Sequence, residues 1–176
     1  MSQPSTPRPV KLIVSIISKD ESIINLAVAD LSQSYGRIDF MSKRLPFDKT
    51  NYYQSEMGRN LTRRFITFEK LLAADSLPDI KRWTDGLESR HKDDEGNRRV
   101  NLDPGYMSLY HLILATNKKY SHRPYLRDGV SADLTLIYRR KSFQSLEWTF
   151  PDYGSAEIIE IMNRLRERYR VQLEGM

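Results

Sequence analysis

"RRVNLDPGYMSLYHLILATNKK" (residues 98–119) governs the reading of the chain, because a polar corner, Asp103-Pro104-Gly105, divides two apolar runs. The first run, Arg99–Leu102, reads as a strand. The second, about 105–116, reads as a helix, with Asp103 suited to the N-cap and Pro104 to the first helical position, where its missing N–H costs nothing. Asp-Pro-Gly suits a simple turn equally well. A functional reading stands beside these. A strand end that meets a helix N-terminus gathers backbone N–H groups that favour an anion, and Asp103 is also a candidate to bind a cation or take a proton.

Working outward, "VKLIVSII" (10–17) is a nearly unbroken β-prone apolar run, as expected of a strand buried on both faces. "SKDE" (18–21) has capping-box spacing, with Ser18 at the N-cap and Glu21 at N3. Ile24, Val28, Leu31 and Tyr35 follow at helical spacing, and Gly36 supplies the stop, which predicts a helix over 19–35. "RIDFMSKRLPF" (37–47) reads as a strand ended by Pro46, and "TRRFITF" (62–68) as the next. Ile80, Trp83 and Leu87 form one stripe of a second helix over 76–91. The order β-α-β-β-α-β is that of the ferredoxin-like, split βαβ arrangement. Beyond residue 116 the pattern predicts a short strand near His122–Leu126 and a hairpin pairing 132–138 with 144–150. A final helix over 155–173 carries Ile158, Met162, Leu165 and Tyr169 on one face. The expected fold class is a single-domain α+β sandwich over 10–176, preceded by a flexible arm (1–9). Its sheet is expected to be mixed and mainly antiparallel, with five to seven strands.

At 176 residues there is room for one ordinary core. The absence of cysteine excludes a disulfide framework, a thiol nucleophile and a zinc ribbon. The Pro- and Ser-rich start lacks the apolar core of a signal peptide, and no run is long enough to cross a bilayer, so the expected compartment is the cytoplasm. The net charge of +5 is spread evenly, with an excess of +2 over residues 1–88 and +3 over 89–176. Its basic residues come as clusters: Lys43-Arg44, Arg63-Arg64, Arg98-Arg99, Lys118-Lys119 and Arg139-Arg140-Lys141. Such clusters are either solvated rims or a phosphate-binding surface.

Several chemistries are missing. No two of the eight glycines have the spacing of a phosphate loop or a dinucleotide-binding fingerprint. "TNKKY" begins like the guanine-recognition motif N-K-x-D, but Tyr120 occupies the place of the aspartate. His91, His111 and His122 stand apart, so a zinc site would need carboxylates from elsewhere in the fold. His111 reads as a structural histidine inside an apolar helix. His122 sits beside Arg123 near a turn, company that suits an anion. In "WTFPDYGS" (148–155), Trp148 and Phe150 read as core, while Asp152, Tyr153 and Ser155 lie at a helix entrance. Tyr52, Tyr53, Tyr106, Tyr125 and Tyr153 fall in expected turns or element ends, where they either pack with hydrogen-bonded tips or stack nucleobases.

The candidate ligand-binding residues are therefore Asn101, Asp103, His122, Arg123, Asp152 and Tyr153, at a site where segments 99–105, 121–128 and 148–155 would meet. Two function classes follow. One is a non-catalytic binding protein for an anionic ligand, a nucleotide or RNA. The other is a metal-assisted hydrolase using Asp103, Asp128, Asp152 and His122. No cofactor motif is present.

The stretches "PVKLIVSI", "YYQSEMG", "RRFITFEKLL", "RRVNLDPGYMSL", "LATNKKYSHRPYL" and "EWTFPDY", in that order, resemble the prokaryotic family named domain of unknown function 4416. The resemblance spans nearly the whole chain, and it implies a single-domain cytoplasmic protein. Some members of that family carry the label GTP-binding protein. This sequence lacks the phosphate loop and the complete guanine motif that such an activity uses.

Overall fold

The first strand, β1 (Val10–Ser18), is buried along its entire length. Successive side chains point to opposite faces of a sheet. Leu12, Val14 and Ile16 therefore enter one apolar layer, and Ile13 enters the layer on the other side. The computed structural model describes residues 3–176. Met1 and Ser2, the start of the expected arm, lie outside the described residues. Residues 3–9 form no helix or strand, and the Pro9 carbonyl accepts a hydrogen bond from the Tyr169 hydroxyl at 2.7 Å.

Helix α1 (Glu21–Tyr35) begins later than the capping-box spacing suggests. Its N-cap is Asp20, whose carboxylate accepts from the Ser22 N–H at 2.9 Å. Ser18 is still a buried member of the sheet, opposite Thr62, so it cannot serve as the cap. Its hydroxyl donates to the Arg99 carbonyl at 2.6 Å instead. Gly36, at φ 93°, takes the left-handed turn that stops the helix. There follow β2 (Ile38–Met41), β3 (Leu45–Pro46), the single turn α2 (Gln54–Met57) and β4 (Thr62–Leu72). A short 3₁₀ turn then leads into α3 (Leu77–Arg90), which is followed by β5 (Asn101–Met107). The sheet order through this half is β2-β4-β1-β5 with every pair antiparallel. That is the split βαβ arrangement expected from the element order.

The second half corrects the sequence reading. Residues 105–116 form no helix. Strand β5 continues through Asp-Pro-Gly to Met107, turns, and returns as β6 (His111–Thr116). Ser108 closes the turn, its hydroxyl accepting from the N–H groups of Tyr110 and His111, both at 3.1 Å. Leu112 and Leu114 pack on one side of the sheet, Ile113 and Ala115 on the other. A strand buried on both faces shows no alternation, and its apolar run is indistinguishable from a buried helix. His111 accordingly belongs to a strand. It lies 5.9 Å from Tyr106, and burial lowers its pKa.

The C-terminal hairpin is also shifted. It pairs β8 (Val130–Arg139) with β9 (Ser142–Ser145), not with 144–150. Arg140 and Lys141 form a two-residue turn with both φ positive, at 51° and 67°, and this turn sets the register. Trp148 and Phe150 lie beyond the strand, and Phe150 is exposed. The short strand after residue 120 is β7 (Tyr125–Arg127). The complete sheet runs β2-β4-β1-β5-β6-β8-β7, with β3 on β4 and β9 on β8. Among the described residues its strands number nine, exceeding the expected five to seven, and neighbours are antiparallel throughout.

The layers follow from the apolar stripes. Ile24, Ala27 and Leu31 of α1, with Ile80 and Leu87 of α3, cover one face. Ile158, Ile161, Met162 and Leu165 of α4 (Ala156–Glu174) cover the other. The molecule is a single α+β domain of three layers, with helices on both faces of the sheet.

Candidate functional site

The Asp-Pro-Gly corner sits where the sheet splits. Strand β6 pairs with β5 only from Gly105 to Met107, so Asn101–Asp103 lack a strand on that side. Helix α3 supplies the missing partners. The Glu88 carboxylate accepts from the Leu102 N–H at 2.6 Å, and the Lys81 ammonium approaches the Leu102 carbonyl at 3.4 Å. Backbone nitrogens two residues apart point the same way, so the Pro104 nitrogen faces this gap, where no ladder requires a donor. One residue on, β6 closes in. A Cβ on Gly105 would lie 2.3 Å from the Ile113 carbonyl oxygen. Proline and glycine are thus strand residues, placed by a gap and a close approach.

This gap is strongly charged. Burial raises the pKa of Glu88, against the pull of Lys81 and Arg98. Burial opposes the charge on Lys81, but Asp103, Glu88 and Asp85 together outweigh it and hold its pKa above the usual value. Asn101 donates to Asp103 at 2.7 Å and accepts from Arg98 at 3.0 Å. Arg98 in turn forks onto Glu56, at 2.8 and 2.7 Å. Burial first, and Asp103 second, raise the pKa of the Tyr53 hydroxyl in the loop above.

On the α4 side, Asp103 stands opposite Ser15 of β1, and Ser15 opposite Phe65 of β4. Here Arg63 is buried in an ion pair with Asp152. The rings of Phe47, Tyr153 and Phe65 surround its guanidinium at 4.8, 4.9 and 5.3 Å. Among the described residues, the Tyr153 and Ser15 hydroxyls are buried with no hydrogen bond of ordinary geometry, although they lie close enough for Ser15 to draw the Tyr153 pKa down. Burial raises the Tyr153 pKa, and Asp103 and Asp152 push it in the same direction against Arg63.

The third group belongs to the same sheet face. Asp133 lies opposite Leu114, which lies opposite Gly105, and Gly105 shares its face with Asp103. Arg123 donates to Asp133 at 2.7 Å, and His122 approaches the same carboxylate at 3.7 Å. His122 stacks on Trp148, with centroids 5.0 Å apart and planes within 11°. Trp148 is fixed by its indole N–H, which donates to the Leu134 carbonyl at 2.8 Å.

Of the six residues chosen from the sequence, Asn101, Asp103, Asp152 and Tyr153 gather around Ser15 and Arg63. His122 and Arg123 gather around Asp133. The 148–155 segment touches both groups, through Asp152 and through Trp148. Asp128 is in neither. It sits in the β7–β8 turn at φ 54°, paired with Arg127 at 2.7 Å, and Arg127 continues to Asp79 on α3. Among the described residues, no group of three or more His, Asp or Glu side chains is placed to hold a metal ion.

Sequence reasoning missed the surface at this end of the sheet. The fate of the five basic clusters exposes it. Lys43-Arg44 pairs with Glu157 and Glu21, Arg63-Arg64 with Asp152 and Glu21, and Arg98-Arg99 with Glu56, Glu88 and Asp20. Among the described residues, Lys118-Lys119 and Arg139-Arg140-Lys141 have no carboxylate partner. Lys118 reaches Tyr52 of the loop before α2, its ammonium 3.9 Å from the ring centroid and 2.6 Å from the hydroxyl. Tyr120 follows, 5.1 Å from His122 and with Arg123 5.9 Å from its ring centre. Tyr52 and Tyr120 are 60% and 68% exposed. The Lys-Lys doublet was visible in the sequence, but its pairing with a tyrosine 66 residues away was not. Asn117, the first residue of the partial guanine motif, donates to Asp85 at 2.7 Å.

A three-layer α+β domain with a polar, split sheet end is therefore the class that the geometry defines. The family model described as domain of unknown function (DUF4416) matches residues 8–169, and the chain belongs to that family. No curated protein and no solved structure matches it. Among the described residues, no helix is long and apolar enough to cross a membrane.

Proposed function

We propose that the protein is a non-catalytic binding protein for an anionic ligand that carries a nucleobase, a nucleotide or RNA. The ligand binds where the loop before α2 meets the β6–β7 connection. One observation carries this reading: the Lys118-Lys119 doublet is exposed, has no carboxylate partner, and is flanked by the exposed rings of Tyr52 and Tyr120. Ammonium groups without a carboxylate partner attract phosphate, and exposed rings accept bases; Lys118, which lies against the Tyr52 ring and hydroxyl, exchanges that contact for the ligand. Most other arginines at this end are spent on internal pairs and cannot serve. His122 and Arg123, also expected at the site, lie against Tyr120 at 5.1 and 5.9 Å from its ring centre.

The test is retention on heparin or RNA at low salt, together with thermal shifts caused by nucleotides. Lys118→Ala/Lys119→Ala should elute from heparin at clearly lower salt than the native chain, with unchanged melting. Arg140→Ala, in the other unpaired cluster, is the comparison: it should lower heparin elution by the loss of its one charge, yet leave nucleotide-induced thermal shifts as they are in the native chain. Absence of retention, together with absence of any nucleotide-induced shift, refutes the proposal.

A further inference from the structure

We infer that the ligand at this edge is a single strand of nucleic acid, stacked base by base on Tyr52, Tyr120 and Tyr125, rather than a free mononucleotide or a duplex. This rests on the binding reading above and narrows it. The carrying observation is the placement of the three rings. Tyr52 is tied to Lys118, Tyr120 comes two residues later, and Tyr125 opens β7 at the end of the same connection. Tyr125 is 66% exposed. Strands β6 and β7 are separated by β8, so the connection that bears these residues spans about 10 Å of sheet edge. Rings spaced along an edge offer successive faces to successive bases. Lys118 and Lys119 lie between the rings, where a connecting backbone would bring its phosphates.

The rings are also held in place. Tyr120 leans on His122, His122 stacks on Trp148, and Trp148 is anchored to the β8 backbone. Tyr52 meets Tyr53 edge-on at 4.9 Å. A pre-positioned ring loses little freedom when a base lands on it. Helices cover both faces of the central strands, whereas β7 at the rim is exposed, so the open surface for bases is at this edge.

The competing ligands fit less well. A mononucleotide needs a concave site that buries most of its surface. The nearby cleft of about 530 Å³ is open, and its lining holds one cation, Arg59, together with one carboxylate, Asp48. A duplex keeps its base faces stacked internally and presents only base edges and phosphates, leaving the tyrosine rings no face to stack on.

Fluorescence anisotropy tests the inference, using a labelled twelve-residue oligouridine, the matching oligothymidine, the same length as duplex, heparin and uridine monophosphate as probes. Two lysines meeting two phosphates give a slope of log affinity against log salt of about −1.4, falling to about −0.7 in Lys118→Ala. Tyr120→Ala and Tyr125→Ala should each weaken the single strand by about tenfold. Tyr120→Phe should restore binding, because stacking needs the ring and not the hydroxyl. Heparin retention should be unchanged in the tyrosine variants, since heparin has no bases to stack. Comparison of the two oligomers reads any preference for the ribose hydroxyl. Duplex binding equal to single-strand binding overturns the inference, as does indifference to the tyrosine variants, while heparin retention would leave the broader anion-binding proposal standing. Absence of binding by the native chain to every one of these probes, heparin included, removes both.

Discussion

Gly105→Ala separates the strand from the helix by the sign of its effect. In a helix starting near residue 105, alanine would replace glycine at a first-turn position and stabilise the fold. In the structure, the new Cβ would lie 2.3 Å from the Ile113 carbonyl oxygen and 2.7 Å from Leu114 Cδ2. Ordinary contact begins near 3.4 Å, so the nearer shortfall is about 1 Å. Leu114 can change rotamer, but the Ile113 carbonyl is part of the strand backbone and can yield only if β5 and β6 separate. Overpacking costs about 1–3 kcal/mol, and weakened ladder hydrogen bonds add about 1 kcal/mol. A loss of about 3 kcal/mol lowers Tm by about 6–12 °C in a chain of this size. Gly86→Ala is the internal control. Gly86 lies in the middle of α3 with nothing within 4 Å of the added atom, so alanine should raise stability by about 0.5–1 kcal/mol. Urea and thermal denaturation of both variants decide the matter. A Gly105→Ala protein as stable as the native chain would refute the close-approach argument.

Two further predictions concern charge. Asp152→Ala leaves the Arg63 guanidinium buried and unpaired, and should cost about 3–5 kcal/mol in urea unfolding, whereas Arg63→Met/Asp152→Leu should recover most of that loss; equal stability of the single and double variants would contradict the pairing. Glu56 has its pKa held below 4.5, chiefly by the hydrogen bond from Arg98. The unfolded chain therefore binds its proton first as pH falls, and the stability that Glu56 confers is present above pH 4.5 and lost as pH falls through the lower folded value. Glu56→Gln should flatten that acid limb, which a pH series of melting temperatures measures directly; an unchanged limb would show that Arg98 does not discriminate the charged form.

How much of this could be read from the chain depends on what each residue's neighbours are. β1 and α1 announce themselves, because the apolar run of 10–17 and the stripe through Ile24 and Leu31 are local patterns with local causes. The C-terminal helix is legible for the same reason. The run 105–116 was not, because both of its faces are buried and its leucines fit either period. Pro104 misled for a related reason. Proline is expected in a helix start or a turn, and it is admitted to a central strand only where the sheet is split, a fact that depends on Glu88 and Lys81 from a distant helix. The same limit applied to the site. Asn101 and Tyr153 could be named as polar residues that their local elements did not require, beside Asp103 and Asp152, which a helix cap would also have explained, and these four lie together. Nothing local could show that Arg63 neutralises Asp152, or that Asp133 occupies Arg123.

The disposition of charge then restricts where a ligand can be met. A net charge of +5 invites the idea of a diffuse basic surface. Three of the five basic clusters, however, are committed to carboxylates of the same chain, and an arginine already forked onto a glutamate is a poor phosphate ligand. The two clusters that no carboxylate answers among the described residues lie at the two opposite ends of β8. One end has Arg139, Arg140 and Lys141 beside the single exposed ring of Tyr110. The other has Lys118 and Lys119 among three exposed rings, one of them braced by stacked His122 and Trp148. Charge alone does not distinguish these ends, since both attract polyanions over a Debye length. Aromatic faces do, because they act only at contact and only on a ligand that has bases to offer. The end that combines both is where recognition, as opposed to attraction, has the groups it needs.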